Sequence, residues 1–336
     1  MDLRTTYLGL KLAHPIIASA SPLTSTVEGI RALEAAGAAA VVMPSLFEEQ
    51  IRAEDTAYAM YTEHGSYSHP EAGSYFPELA DYDRGVSGHL NTVRRAVDAV
   101  GIPVITSLNA VTPEGWTDYA ARLEGAGAAA LELNMYFVAT DTSASSQDVE
   151  ARYVDVVRSV KRVVKIPVAV KLSPFFSSTG NFAHKLADAG ADGIVLFNRF
   201  YQPDFDLATL SVKANLKLST SHEAGPPLLW IALLAGRIRC SLAATSGVET
   251  SDQVIKYLLA GADTVMTASA LLRHGPEHAT VLLDGLSAWM ARKGFNALDE
   301  LRGMLSVPPD TEAAGYERAG YVTGLRAANI RAYSPW

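Results

Sequence analysis

The chain reads DAGADGIVLFN at residues 188–198, where a predicted helix ends, an Ala-Gly-Ala turn follows and a short buried strand begins. The same arrangement recurs as EAAGAAAVVMP (34–44), EGAGAAALELN (124–134) and LAGADTVMTAS (259–269). Glycine at the turn favours a left-handed helix cap, and the run after it is apolar on both faces, as in a buried parallel strand. The chain is therefore predicted to repeat one helix-to-strand unit.

A second type of strand alternates with the first. Three of these strands begin near a proline, which is tolerated at the start of a strand, and they are HPIIASA (14–20), GIPVITSLN (101–109) and KIPVAVKLS (165–173). CSLAATSG (240–247) brings the count to eight. Helical patterns separate the strands at 26–36, 87–100, 113–126, 146–164, 181–189, 227–238, 250–260 and 276–294. Eight strands alternating with helices predict an α/β fold, a (βα)8 TIM barrel with right-handed crossovers. An open Rossmann-like sheet is the alternative, but no GxGxxG follows the first strand.

Two insertions and a tail interrupt this pattern. Residues 46–86 follow the second strand; their tyrosines predict a lid, and the spacing of their His and Glu residues matches no metal site. Residues 201–226 follow the sixth strand and predict a hairpin that turns at Lys213-Ala214-Asn215. We divide the chain into a barrel, residues 1–294, and a C-terminal tail of short helices, residues 295–336, packed on the barrel.

Composition excludes several classes of protein. The net charge of −8, with no basic run, argues against a nucleic-acid partner. The single cysteine, Cys240, cannot form an intramolecular disulfide or hold an iron–sulfur cluster by itself. Neither a signal peptide nor an apolar run long enough to span a bilayer is visible, so we expect a cytoplasmic protein without a membrane partner.

Polar residues at the carboxyl ends of the strands are the candidates for function, since barrel enzymes place their sites there. They include Ser19, Ser45, Asn134, Lys171 and Asn198. Amides, hydroxyls and one lysine suit a planar, polar cofactor such as a flavin, whose negative charge on reduction Lys171 would stabilise. Three other interpretations stay open: a Schiff-base aldolase using Lys171, a lysine that reaches solvent, and asparagines that only cap loops.

The last two strands predict a phosphate site. Thr245-Ser246-Gly247 precedes one helix and Ala268-Ser269 precedes another, so both offer backbone N–H groups to an anion. Loops after strands seven and eight are the usual phosphate site of barrels.

These segments resemble the FMN-dependent dihydroorotate dehydrogenases, in particular a divergent dihydroorotate dehydrogenase-like branch. The resemblance runs from about residue 3 to about residue 292, and its most specific stretches are LELNMYFVATD (131–141), IPVAVKLSPFF (166–176), GADGIVLFNRF (190–200) and SGVETSDQVIKYLLAGADTVMTASALLRHG (246–275).

The resemblance implies an FMN site and a substrate site. Lys171 would contact the flavin pyrimidine edge, Asn134 would bridge flavin and substrate, and Asn198 would hold the substrate. The remaining cofactor residues implied are Ser19 and Ala20 along the ring, Ser45 at the second strand, and Ser246, Gly247, Ala268 and Ser269 at the phosphate. In the family reaction, hydride passes from C6 of dihydroorotate to flavin N5 while a base takes the C5 proton.

The chain departs from the family where the substrate would bind. Met43-Pro44-Ser45 replaces a Thr-Lys-Ser, and Phe137 stands where the family has its catalytic cysteine. Phenylalanine cannot accept a proton. Two interpretations follow: a base from the same loop, with Tyr136, Thr140 and Ser143 as candidates, or a different CH–CH substrate.

The resemblance also implies partners. We expect a small-molecule substrate, a homodimer, and a possible electron-transfer partner subunit, because this chain lacks the cysteines for a cluster of its own.

Overall fold

The computed structural model describes residues 1–49, 86–137, 139, 141–199, 204–213, 217–311 and 318–327. Eight parallel strands close into a barrel in the order β11-β12-β3-β4-β5-β6-β7-β8, with helices around it. The predicted (βα)8 barrel is confirmed, and the open-sheet alternative is excluded.

The strands divide into the barrel and two hairpins. The barrel strands are β3 (Ile16–Ala18), β4 (Val41–Phe47), β5 (Val104–Asn109), β6 (Ala130–Asn134), β7 (Val168–Leu172), β8 (Gly193–Leu196), β11 (Ser241–Ala244) and β12 (Thr264–Thr267). The hairpins are β1 (Thr5–Tyr7) with β2 (Leu10–Leu12), and β9 (Asp204–Asp206) with β10 (Ser211–Lys213).

The helices follow the predicted spacing, with one addition. They are α1 (Val27–Ala35), α2 (Val86–Ala99), α3 (Pro113–Gly125), α4 (Ser146–Val163), α5 (Thr179–Asp188), α6 (Gly225–Leu234), α7 (Ser251–Ala260), α8 (Ser269–His274), α9 (His278–Lys293) and α10 (318–327). The short helix α8 was not predicted, since six residues are too few to show a helical period.

Local sequence explains where these helices begin and end. Thr26, Ser145 and Thr250 cap α1, α4 and α7 by accepting hydrogen bonds from backbone N–H groups in the first turn. The glycines of the four repeated turns, Gly37, Gly127, Gly190 and Gly261, have φ between 82° and 113°. The predicted left-handed turns are therefore confirmed.

The first hairpin closes the barrel at the amino ends of its strands, which we call the bottom. Tyr7, Leu8 and Leu12 are buried there against inward-facing residues such as Ile17 and Met266. This plug was not predicted, because its three-residue strands are too short to give a clear alternation. Since the bottom is sealed, ligands can reach the barrel interior from the carboxyl ends of the strands, which we call the mouth.

The second hairpin exists, but the predicted position of its turn is wrong. Phe205 pairs with Val212, and residues 207–210 form the turn. Lys213 belongs to β10, and the other two residues of the predicted turn lie outside the described residues. Asp206 decides the position, because its Oδ1 accepts hydrogen bonds from the N–H groups of Ala208 and Thr209 and so fixes a turn directly after β9.

Residues 297–305, which follow α9, lie against the bottom of the barrel. Asp2 bridges to Ala297, and the N–H groups of Gly303 and Leu305 donate to Leu258 and Leu259 at the end of α7. Leu298 and Leu301 are buried. The division into units at 294 and 295 stays a prediction. Within the described residues, no helix is long and apolar enough to cross a membrane.

Candidate active site

A cavity of about 250 Å³ opens at the mouth of the barrel. Seven of the predicted cofactor residues line it: Ser19, Ala20, Lys171, Asn198, Ser246, Ala268 and Ser269. Met266 and Val248 add apolar surface. The cavity therefore combines hydrophobic walls with a few converging polar groups, as small-molecule sites do.

A buried ion pair lies at the base of this cavity. Lys171 on β7 is 8% exposed and Glu132 on β6 is 1% exposed. Lys171 Nζ lies 3.2 Å from Glu132 Oε1 and 3.5 Å from Ser19 Oγ. Lys171 therefore presents its ammonium to the cavity with the carboxylate of Glu132 as its partner.

A chain of amides and hydroxyls crosses the mouth from β8 to β5. Asn198 Nδ2 donates to Asn134 Oδ1 over 2.6 Å, and Asn134 Nδ2 donates to Ser45 Oγ over 2.9 Å. Ser45 Oγ lies 2.8 Å from Ser107 Oγ. Ser45 and Asn134 do not line the cavity themselves, but these bonds fix the position of Asn198, which does.

The backbone at Ser246 and Gly247 is held in an uncommon conformation. Both residues have positive φ, 75° and 70° respectively. Ser246 is tied on two sides, since its Oγ donates to Phe197 O and its carbonyl accepts from the hydroxyl of Tyr257 over 2.7 Å. These two residues lie just before α7, where backbone N–H groups can be offered to an anion.

Residues from the second insertion complete this side of the cavity. Ser219 donates to Ser269 Oγ from its N–H (3.0 Å) and from its hydroxyl (2.9 Å). Lys217 also lines the cavity and is exposed. Ser269, already fixed as an acceptor, can donate its own hydroxyl proton to a ligand.

The loop after β6 carries the candidate bases, and neither Tyr136 nor Ser143 lines the cavity. Ser143 is exposed and its hydroxyl donates to Asp141 Oδ1 over 2.6 Å, which lowers the pKa of that carboxyl. Tyr136 is half-buried and lines a neighbouring pocket with Phe137. Thr140 lies outside the described residues.

Phe137 is packed rather than free. The guanidinium of Arg152, on α4, lies 4.4 Å from the centre of the Phe137 ring. The hydroxyl of Tyr153 donates to Met135 O over 3.0 Å and fixes the start of the same loop. Phe137 is therefore an aromatic ring stacked against a cation.

Cys240 lies far from this chemistry, immediately before β11 at the bottom of the barrel. Burial raises the pKa of its thiol to about 12, and the charges of Asp263 and Asp192 act in the same direction. In the described part of the chain there is no group of three or more His, Cys, Asp or Glu residues placed to hold a metal ion.

Sequence reasoning missed two buried glutamates. Glu132 is two residues before Asn134 on β6, so both side chains face the barrel interior, and a carboxylate in the run ALELN was the signal for a buried cation nearby. Glu48 is 2% exposed, and its carboxylate accepts hydrogen bonds from the N–H groups of Val111 and Thr112 at the start of α3. It thereby orders the loop beside the mouth.

A family model described as dihydroorotate dehydrogenase matches residues 82–290. The chain belongs to the dihydroorotate dehydrogenase family. The resemblance inferred from the sequence is thus confirmed, and this family consists of flavoprotein oxidoreductases.

Individual relatives of the dihydroorotate dehydrogenase family are distant. The dihydroorotate dehydrogenase B (NAD(+)), catalytic subunit, of Methanothermobacter thermautotrophicus is 24% identical over 319 residues, which cover 90% of this chain and 98% of that protein. The protein of the same description from Bacillus thuringiensis is 26% identical over 229 residues, covering 65% of this chain and 72% of the relative. An Aeropyrum pernix protein, provisionally described as dihydroorotate dehydrogenase A (fumarate), is 27% identical over 243 residues, covering 70% and 78%.

Proposed function

We propose that this protein is an FMN-dependent oxidoreductase whose cofactor binds in the cavity at the barrel mouth. One observation carries the proposal: the buried cation of Lys171, the fixed amide of Asn198 and the left-handed residue Ser246 all border one cavity. When bound, FMN supplies the hydride acceptor.

The residues present fit the cofactor. A flavin needs hydrogen-bond donors at its polar ring edge, an apolar surface along its ring and an anion site for its phosphate. Lys171 would serve the ring edge, Ala20, Ser19 and Met266 would lie along the ring, and Asn134, Ser45 and Asn198 would lie beside it. The backbone N–H groups of Ser246, Gly247, Ala268 and Ser269 would hold the phosphate.

For the substrate, we propose a small molecule bound by Asn134 and Asn198 that loses hydrogen from a CH–CH bond. Dihydroorotate, oxidised to orotate in pyrimidine biosynthesis, is the first candidate, because the curated relatives carry that activity in their descriptions. In that case Tyr136 is the first candidate base, since it directly follows Met135, whose carbonyl accepts a hydrogen bond from Tyr153.

A different CH–CH substrate is the second candidate. It is favoured by Phe137, which is stacked on Arg152 at the position of the family cysteine and cannot take a proton. A substrate whose dehydrogenation needs no strong base, or which carries its own, would suit such a site.

A non-redox aldolase or lyase using Lys171 is less well supported. A lysine that forms a Schiff base must lose its proton before it attacks a carbonyl. Lys171 instead lies 3.2 Å from the carboxylate of Glu132, in the geometry of an ion pair. Borohydride trapping of a carbonyl substrate on Lys171 would favour the lyase over the oxidoreductase.

The electrons must leave the protein through a second substrate or another chain. The relatives described as catalytic subunits support an electron-transfer partner subunit, and we also propose a homodimer.

Purification followed by anaerobic titration tests the proposal. The protein is expected to be yellow or to take up added FMN, and a colourless protein that binds no FMN would refute the proposal. Addition of dihydroorotate then distinguishes between dihydroorotate and a different CH–CH compound as the substrate. Bleaching of the flavin absorbance supports the dihydroorotate reaction, whereas an unchanged spectrum in a protein that dithionite still bleaches supports a different substrate.

A further inference from the structure

The hairpin of β9 and β10 exposes an apolar surface that no described part of the chain covers. Phe205 and Val212 are directly opposite each other on one face, and Leu207 and Leu210 form the tip; their exposed fractions are 69%, 66%, 84% and 88%. A two-stranded hairpin on its own is marginally stable in water, so one that exposes its apolar residues is expected to pack against something.

The helix α10, residues 318–327, also carries apolar residues that no described part of the chain buries. Every residue of it is exposed, so it does not pack on its own barrel. Tyr321, Val322 and Leu325 lie on one side of the helix, at spacings of one and four residues, and form an apolar stripe. Such a helix gains stability only when its stripe is buried.

The hairpin and α10 carry opposite charges beside their apolar residues. Asp204 and Asp206 place carboxylates next to the apolar residues of the hairpin, while Arg318 and Arg326 lie at the two ends of α10. Among the described residues, neither arginine has an ion-pair partner. Opposite charges around matching apolar patches favour docking of one surface on the other.

Position in the fold decides which copy supplies the helix. The hairpin leaves the carboxyl end of β8, at the mouth of the barrel. The segment that leads to α10 is held at the bottom, where Arg237 donates hydrogen bonds to the carbonyls of Val307 and Pro308. The bottom and the mouth are opposite ends of one barrel, whereas two barrels side by side in opposite directions bring the bottom of one beside the mouth of the other.

We propose that α10 of one copy docks on the hairpin of a second copy, and that this contact occurs twice in a two-fold symmetric homodimer. The proposal specifies the interface of the homodimer proposed above and does not depend on FMN. It can therefore hold or fail independently of the flavin chemistry.

Sedimentation velocity of the full-length chain over a concentration series tests it. The wild type is expected to be a dimer. The hairpin variant Leu207→Ser/Leu210→Ser and the helix variant Tyr321→Ser/Leu325→Ser are each expected to raise the dimer dissociation constant by about 100-fold or more, since each change removes both symmetric contacts. Val281→Ser, at an exposed apolar residue of α9, is the control and is expected to leave the dimer intact.

Mixing the two variants identifies the contact. A mixed dimer joins the intact helix of the hairpin variant to the intact hairpin of the helix variant, so it keeps one of the two contacts. Equimolar mixing is therefore expected to restore part of the dimer that neither variant forms alone. A monomeric wild type, a dimer that persists in either variant, or mixing without recovery would each overturn the proposal.

Discussion

The ammonium of Lys171 lies 3.2 Å from the carboxylate of Glu132, and both side chains are buried inside the barrel directly beneath the cavity. The second carboxylate oxygen of Glu132 has no hydrogen-bond partner within the described residues, and neither has the nearby hydroxyl of Tyr7. Burial, followed by the charge of Glu132, raises the pKa of Tyr7 well above its ordinary value. Lys171, Glu132 and Tyr7 are thus buried polar side chains in the interior of an otherwise largely apolar barrel.

Removing Glu132 is expected to destabilise the protein more than removing both partners. Glu132→Leu leaves an unpaired ammonium in the interior, and breaking a buried pair in this way lowers the free energy of unfolding by about 3–5 kcal/mol. Glu132→Leu/Lys171→Met leaves no charge and is expected to recover most of that loss. Urea denaturation of the FMN-free proteins measures both effects, and a double variant no more stable than the single one would contradict this account of the pair.

Lys171 is expected to matter for FMN as well as for stability. Lys171→Met removes a charged hydrogen bond to the ring and should weaken FMN binding by about 10- to 100-fold. It should also lower the reduction potential of bound FMN, because a nearby positive charge favours the reduced, more negative ring. Lys165→Met, at an exposed position before β7, is the matched control and should change neither quantity.

The barrel itself was predictable from the sequence because its signal is repeated. Each turn glycine and the strand after it give the same pattern. A strand whose own signal is weak can therefore be recognised from its place in the repeat. The positions of Ser19, Lys171, Asn198 and Ser246 around one cavity follow from that pattern, because the carboxyl ends of all barrel strands meet at the mouth.

The features that were missed depend on contacts between residues far apart in the chain. The pairing of Glu132 with Lys171 requires the register of β6 and β7, in which Asn134 lies opposite Lys171. The bottom plug depends on the packing of Tyr7 and Leu8 rather than on a local period. The hairpin turn was misplaced because Lys213-Ala214-Asn215 has turn composition, whereas the hydrogen bonds of Asp206 decided the outcome.

Gly247 is expected to be irreplaceable at the proposed phosphate site. A Cβ there would lie 2.7 Å from the Ala224 nitrogen and 3.0 Å from the Thr220 oxygen, both of them backbone atoms. Gly247→Ala should therefore displace the turn and reduce FMN binding as well as thermal stability. Gly294→Ala is the control, because its φ of 79° imposes the same strain while its Cβ meets no atom within 4 Å. If the two variants bind FMN equally well, the turn does not hold the phosphate.

Cys240 is expected to react very slowly with alkylating reagents, unlike a catalytic cysteine, which reacts as a thiolate. With a pKa of about 12, it is largely protonated at neutral pH, and only the thiolate reacts. Iodoacetamide labelling of the native protein should be slow at pH 7 and should accelerate about tenfold per pH unit up to the thiol's pKa. In urea the same thiol should react much faster, because its pKa returns to an ordinary value.

The same pKa shift has a consequence for stability. The folded protein keeps the Cys240 proton to higher pH than the unfolded chain does. The stabilisation of the folded state by the protonated thiol is therefore complete below the ordinary thiol pKa, and it is lost as the pH rises towards about 12. The difference in unfolding free energy between wild type and Cys240→Ala should therefore shift in favour of the variant as the solution becomes alkaline. Rapid labelling of native protein at pH 7, or a difference that does not change with pH, would contradict the half-buried, protonated state of this thiol.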